Sequence, residues 1–284
     1  MSLYAKESQS ARCRSEYGPL RRVLLCPPNF MEIKDVINDV QKRYKDENIN
    51  AEKAMQQHRK FVDALKEHGV KTDLLEPSEQ FPEQVFTRDI GFTIDDTVYI
   101  GEMASDIRKG EERELQKWLD ANQFHSQHLD SNRVEGGDVI LDRDTVFVGI
   151  SSRTSKNAIE ELQQKLPGYA VIPISFNEKY LHLDCVFNIL SPTEALIFPQ
   201  ALDAAAVKML SERYTLIEVD SKEQFALGTN VLSIGGRRVF SQPQNKNVNK
   251  QLALNGFHVI EVDFSEIIKS GGAFRCCTMP VIRD

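Results

Sequence analysis

The sequence predicts an α/β protein of five pseudo-repeated ββαβ units closed into a ring. Three observations lead there. A pattern of strand, tight turn, strand, helix and strand recurs along the chain. A polar residue heads each unit, at Asp89, Glu135, His182, Asn230 and Cys276, and the intervals are 46, 47, 48 and 46 residues. The last unit is cut short by the C-terminus, and the N-terminal segment carries the elements it lacks. A steady period in this range marks a repeat architecture. Closing it into a ring hides the sheet edges.

The elements follow in order. Residues 1–17 are polar and read as a surface lead-in. Leu20 to Pro28 reads as a strand stopped by two prolines. Residues 29–47 are mixed and charged, and predict a loop with a short helix. Asn50 to His68 places Ala54, Met55, Phe61, Val62 and Leu65 at helical spacing, with Gly69 as the stop. This stripe is a core-facing surface. Val70 to Leu75 is a strand. The second unit has a hairpin over Ile90–Ile94 and Val98–Ile100, a helix over Ile107–Ala121 and a strand near Phe124–Leu129. The third repeats this with Val139–Leu141, Val146–Ile150, a helix over Ser155–Leu166 and a strand over Tyr169–Ile174. The fourth uses Cys185–Leu190, Ala195–Phe198, Asp203–Tyr214 and Thr215–Val219. The fifth uses Val231–Ile234, Arg237–Ser241, Val248–Asn255 and His258–Val262. The stretch from Gly271 to Cys276 leads into one last strand. The expected units within a single domain, 1–284, span about 18–77 joined with 271–284, then 86–130, 135–175, 182–220 and 228–263.

Composition narrows the function classes. Of 284 residues, 41% are hydrophobic and 27% charged, the balance of a soluble globular protein. The net charge of −7 disfavours nucleic acid or an anionic membrane as a partner and is compatible with a small cationic ligand. No apolar run approaches a membrane span. The first twenty residues contain Lys6, Glu7, Arg12, Arg14 and Glu16 and no apolar stretch, so a secretory leader is not expected. Five cysteines, odd in number and without paired zinc-knuckle spacing, read as reduced thiols in a cytoplasmic protein. His125 and His128 have a metal-like spacing but no third ligand, so neither a metal nor an organic cofactor is expected.

In a ring, equivalent positions converge on the axis, so the five heads would face one pocket. A cysteine, a histidine and several carboxylates around a pocket suit nucleophilic attack on a carbon that bears positive charge. A guanidinium is the matching target, being planar, cationic and suited to bidentate carboxylates. Asp184 stands two residues after His182, and on a strand both would share a face. Of the adjacent pair Cys276 and Cys277, only one would face the pocket, and the register favours Cys276.

Phe86-Thr87-Arg88-Asp89, Glu135-Gly136-Gly137-Asp138, His182-Leu183-Asp184, and Gly271-Gly272 followed by Cys276-Cys277-Thr278-Met279-Pro280 together resemble the guanidino-group-modifying superfamily. This group includes arginine deiminases, dimethylarginine dimethylaminohydrolases and amidinotransferases. Each motif alone is weak; four in order, over about 18–284, are specific. The resemblance implies the five-bladed α/β propeller, or pentein. It also implies Cys276 as nucleophile, His182 as general acid and base, and Glu135 as the carboxylate that supports the histidine. Asp89 and Asp184 would bind the guanidinium, and Arg153, assisted by Arg108, would grip an amino-acid carboxylate. Asp184 resembles the deiminases and amidinotransferases, whereas the short chain resembles the dimethylarginine enzymes.

The reading is a cysteine-dependent hydrolase that takes arginine or N-methylarginine to citrulline and an amine through a thiouronium intermediate. The alternatives are an amidinotransferase that passes the amidino group to an amine, and a non-catalytic binding protein of the same fold. The expected partner is a small guanidino substrate; a homo-oligomer is left open. Residues 29–47 and 102–110 are the candidates for a covering loop.

Overall fold

The computed structural model describes residues 10–129 and 133–284. Residues 1–9 of the expected lead-in and Asp130, the end of the second unit, lie outside the described residues.

Five three-stranded sheets carry the fold, each with one antiparallel and one parallel pairing. The strands are β1 Leu20–Leu25, β2 Lys71–Leu74, β3 Gly91–Ile94, β4 Thr97–Ile100 and β5 Ser126–His128, then β6 Val139–Asp142, β7 Thr145–Ile150 and β8 Ala170–Ser175. After them come β9 Phe187–Ile189, β10 Glu194–Ile197, β11 Thr215–Glu218, β12 Leu232–Ser233, β13 Arg238–Ser241, β14 His258–Glu261 and β15 Met279–Arg283. The sheet orders are β3-β4-β5, β6-β7-β8, β9-β10-β11, β12-β13-β14 and β15-β1-β2. The fifth sheet therefore joins the two chain ends: β15 runs antiparallel to β1, and β1 runs parallel to β2.

Burial falls from the first strand of each sheet to the third. β3, β6, β9 and β12 are buried throughout, while β2, β5, β8, β11 and β14 alternate or face outward. Hydrogen bonds tie each inner strand or its lead-in to the next. Arg88 N–H donates to the Cys276 carbonyl, and Gly136 N–H to the Asp89 carbonyl. Leu183 N–H donates to Asp138 Oδ1, and the Asn188 amide to the carbonyls of Thr229 and Val231. Arg275 N–H donates to the Asn230 carbonyl and closes the ring.

Helices cover the outside: α1 Asp39–Tyr44, α2 Ala51–Glu67, α3 Glu111–Asn122, α4 Lys156–Lys165, α5 Ala204–Ser211, α6 Ser221–Phe225 and α7 Lys246–Leu254. In α2 the Asn50 side chain caps the N-terminus through Lys53 N–H, and Gly69, at φ +79°, allows the turn out. Its buried face carries Ala54, Phe61, Val62 and Leu65, as the spacing predicts. Phe61 meets Phe240, Phe264 and Phe274 edge-on at 5.2, 5.2 and 5.3 Å. Each such buried ring contributes about 1.5–3 kcal/mol, and Phe274 thereby anchors the segment that carries Cys276.

Two expectations are corrected. Residues 11–16 are not a surface lead-in: Ala11, Cys13, Ser15 and Glu16 are buried, and the segment pairs at Arg12 with Ile282, Cys13 with Asp95 and Ser15 with Asp142. The unit heads are not strand residues either. They stand ahead of the inner strands: Glu135 and His182 are the extended residues just before the 3-10 turns Gly136–Asp138 and Leu183–Cys185, and Cys276 lies three residues before β15. Among the described residues no helix is long and apolar enough to cross a membrane.

Candidate active site

The ring brings Asp89, Glu135, His182, Asp184, Asn230 and Cys276 to its centre, all buried. Glycine makes this approach feasible. A Cβ on Gly137 would come within 2.7 Å of the His182 ring and 2.8 Å of Asp89 Oδ1. A Cβ on Gly136 would meet the Arg88 carbonyl at 2.2 Å.

His182 is held from both sides. Its Nε2 lies 2.7 Å from Glu135 Oε2, and its Nδ1 lies 3.6 Å from Asp89 Oδ1. Burial alone would lower the imidazole pKa, but Asp89, Glu135 and Asp138 outweigh it and raise it to about 10. Burial would raise Glu135, yet the contact with His182 and the nearby arginines hold it below the usual carboxylate value. Glu135 Oε1 also accepts from Ala104 N–H, so the 102–110 segment reaches the site. Asp89 Oδ1 and His182 Nδ1 have no hydrogen-bond partner among the described residues.

Cys276 Sγ lies 3.6 Å from Asp184 Oδ2. Burial, then the Asp184 charge, push its thiol well above the ordinary value. Asn230 holds the backbone of the Cys276 segment, its Oδ1 accepting from Ala273 N–H and Cys276 N–H at 3.1 Å each. Cys277 packs into the apolar core that includes Phe61 and Phe274. The expectation that His182 and Asp184 share a strand face fails, because a 3-10 turn separates them. Asp184 turns one oxygen toward Cys276 and gives Arg275 Nη1 a 2.6 Å partner.

The two arginines differ from expectation and from each other. Arg108 is buried and engaged inside the protein, with Asp89 at 2.5 Å, Glu111 at 2.8 Å and the Phe86 carbonyl at 3.1 Å. It fixes Asp89 and leaves little of its guanidinium for a ligand, which departs from the expected grip on a substrate carboxylate. Arg153 lies 3.8 Å from Glu135 and donates to the Ile37 carbonyl. It also borders a cavity of about 310 Å³ lined by Asn38, Lys42, Glu178 and Lys179. Residues 37–41, within the 29–47 segment that was a candidate cover, bond residues flanking the site. Gln41, on α1, donates to Glu83 and to Ser270, and Asn38 donates to the Ser270 carbonyl.

Sequence reasoning missed the partner of Asp184. Arg275 precedes Cys276 and bonds Asp184, Glu16 and the Val139 carbonyl. The adjacency of Arg275 to Cys276 is its only sequence signal. Asp89, Glu135 and His182 each offer one ligand atom within 4.8 Å of the others, which a divalent cation could use. His125 and His128 are exposed, against Gln127 and Gln116.

A family model described as N,N dimethylarginine dimethylhydrolase, eukaryotic, matches residues 27–283. The chain belongs to this family. Among the dimethylhydrolase family's relatives, the protein YkgA of Bacillus subtilis (strain 168), described as uncharacterised, is 52% identical over 98% of this chain and 97% of its own. The N(G),N(G)-dimethylarginine dimethylaminohydrolase of Mycobacterium tuberculosis is 27% identical over 92% of this chain and 86% of its own. Among solved structures, the N-terminal domain of ArgZ, a cyanobacterial arginine dihydrolase, superposes with a TM-score of 0.85 at 26% identity. It covers 92% of this chain and 98% of that domain, and was solved as a cysteine-to-serine variant bound to substrate. The fold is thus that of the guanidino-group-modifying pentein enzymes, whose members are hydrolases and amidinotransferases acting on guanidino groups.

Proposed function

We propose that this chain hydrolyses a C–N bond of arginine or an N-methylated arginine, releasing citrulline and ammonia or a methylated amine. One observation carries the reading. Among the described residues Asp89 Oδ1 is a buried acceptor without a donor, beside a His182 hydrogen-bonded to Glu135 and in one buried centre with Cys276 and Asp184. A guanidinium supplies planar N–H donors and positive charge to that acceptor. The substrate-bound ArgZ domain supports the same class of ligand.

The charges set the order of events. Burial and Asp184 keep the ligand-free Cys276 a thiol. A cation seated between Asp89 and Asp184 lowers its pKa, so the thiol releases its proton to solvent and the thiolate forms as substrate binds. Sγ attacks the guanidinium carbon and an S–C bond forms. The C–N bond to the leaving amine breaks as its nitrogen takes the proton of the His182 imidazolium. This leaves a thiouronium on Cys276 and a neutral imidazole. Water then gives a proton to His182 and adds to the same carbon. The C–S bond breaks, sulfur departs as thiolate, and the ureido product is released as its hydroxyl proton passes to Cys276 and restores the thiol. Glu135 holds the imidazole ring in line, Arg108 fixes Asp89, and Arg153 receives the amino-acid carboxylate from the adjoining cavity.

Intact-protein mass spectrometry after acid quench tests this, with arginine, dimethylarginine and agmatine in turn and Cys276→Ser as control. The expected result is a thiouronium adduct on the native protein alone, with citrulline in solution from arginine or dimethylarginine, or another ureido product from agmatine. An adduct that persists until an amine is added indicates amidino transfer. No adduct and no product with any of the three defeats the catalytic reading.

A further inference from the structure

Asp138 stands between the arginine that borders the ligand cavity and the histidine of the centre. It is fully buried and ends the Glu135-Gly136-Gly137-Asp138 turn. Burial raises its pKa to about 6, so at neutral pH it is a carboxylate and accepts on both oxygens. The two oxygens serve different segments. Oδ1 accepts at 2.9 Å from the N–H of Leu183, the residue that follows His182. Oδ2 accepts at 2.6 Å from the Ser151 hydroxyl. Ser151 Oγ in turn accepts from the backbone N–H groups of Arg153 and Thr154, at 3.0 Å each. A chain of bonds thus runs from the backbone of Arg153 to the turn behind the imidazole, with one carboxylate in the middle. Gly149 leaves the room for it: a Cβ there would stand 2.5 Å from Asp138 Oδ1. The Arg153 loop has a second tie, in which Glu135 N–H donates to Thr154 Oγ1 at 3.2 Å.

We propose that Asp138 is the positioning residue that couples ligand recognition to proton transfer. Through Ser151 it sets where Arg153 meets the substrate carboxylate, and through Leu183 it sets where the His182 ring stands. The inference rests on the roles of Arg153 and His182 in the proposed hydrolysis. Asparagine is the nearest substitute in shape and cannot do both tasks. Its one carbonyl oxygen serves one segment, and its NH2 group turns a donor toward the donor of the other. Small displacements of groups that must align with a reacting carbon cost large factors in rate.

Kinetics with arginine, and with agmatine, which lacks the carboxylate, separate the two arms. Ser151→Ala cuts the arm to Arg153 alone, and Thr154 Oγ1 still holds the loop. KM for arginine should rise about tenfold with kcat unchanged, and agmatine should be unaffected. Asp138→Asn should give the same rise in KM for arginine and also lower kcat about tenfold on both substrates. The double variant should raise KM no further than Asp138→Asn does, because both changes break one tie. Equal losses on the two substrates in Ser151→Ala, or an unchanged kcat in Asp138→Asn, overturn the proposal. Two readouts in the Cys276→Ser background need no turnover. By calorimetry either change should weaken arginine binding about tenfold, and by NMR the His182 ring signals should move in Asp138→Asn but not in Ser151→Ala. That pattern, with no product from the native protein, upholds the coupling and defeats the hydrolase reading instead. Unchanged arginine binding or unmoved His182 signals in Asp138→Asn overturn the coupling.

Discussion

At the scale of single residues, the His182–Glu135 contact sets the pH range of the chemistry. In the proposed mechanism His182 carries its proton when the amine leaves, and a pKa raised to about 10 keeps that proton through neutral pH. Glu135→Gln removes one of the charges that raise it. The alkaline limb of the kcat/KM profile should then move down by about 1–3 pH units; an unmoved limb would mean that Glu135 does not act through the imidazole. Much of this centre was legible in the chain. Asp89, Glu135, His182 and Cys276 stand out because unlike residues recur at a like interval, and only a shared structural position explains that. Asp184 was found by adjacency to His182, though it reaches the site through a 3-10 turn. The functions of Arg108 and Arg275 were not legible. A buried cation's role depends on which carboxylate the fold places beside it, and both find theirs across the ring or its lead-in segments.

At the scale of elements, α1 is tied to the segment that leads to Cys276, and the proposal that 29–47 covers the site can be tested there. Gln41 Nε2 donates 2.7 Å bonds both to Glu83 and to Ser270, next to the glycines that lead into the Cys276 segment. Gln41→Ala removes both bonds and leaves Glu83 less satisfied, at a cost of about 1–3 kcal/mol to the closed form. The expected outcomes are faster alkylation of Cys276 by iodoacetamide and a higher KM; an unchanged alkylation rate would show that 29–47 does not control access. The loop with a short helix was readable from its mixed composition, but its hold on the site was not, because Glu83 and Ser270 lie far from it in sequence. The hairpins were readable for a local reason. Asp95 and Arg143 turn at φ 49° and 55° between apolar runs, and such runs pair wherever the turn is tight. Helix α6 escaped notice because five residues capped by Asp220 carry no periodicity.

At the scale of the whole molecule, stability depends on the charges that the ring encloses. Burial opposes the charge of Glu16, but Arg275, Arg88 and Arg283 prevail and lower its pKa to about 2. Its contribution is therefore fully present above the unfolded value near 4.5 and is lost as pH falls through about 2. Glu16→Gln should cost roughly 3 kcal/mol near pH 7, read as a lower Tm, with the gap to the native protein closing toward pH 2. A constant gap at all pH values would assign the loss to packing instead. His182 works on the other side: its raised pKa gives stability that is full below about pH 6.5 and lost as pH rises through about 10. The ring itself was predictable from the period and the complementary ends, whereas the burial of residues 11–16 beneath it was not, because polar residues there serve buried arginines instead of solvent.

The pairing of β1 with β15 also orders events in time. When the segments up to β14 have been made, β1 is paired with β2 alone and the fifth sheet lacks its third strand; Cys276 and β15 follow later in the chain. Until they arrive, Asp184 lacks Arg275, and the Cys276 segment is absent from the Asn230 side chain that will hold it. A fragment that stops before Arg275 brings no thiol to Asp184 and Asn230, so the proposed hydrolysis cannot run on it.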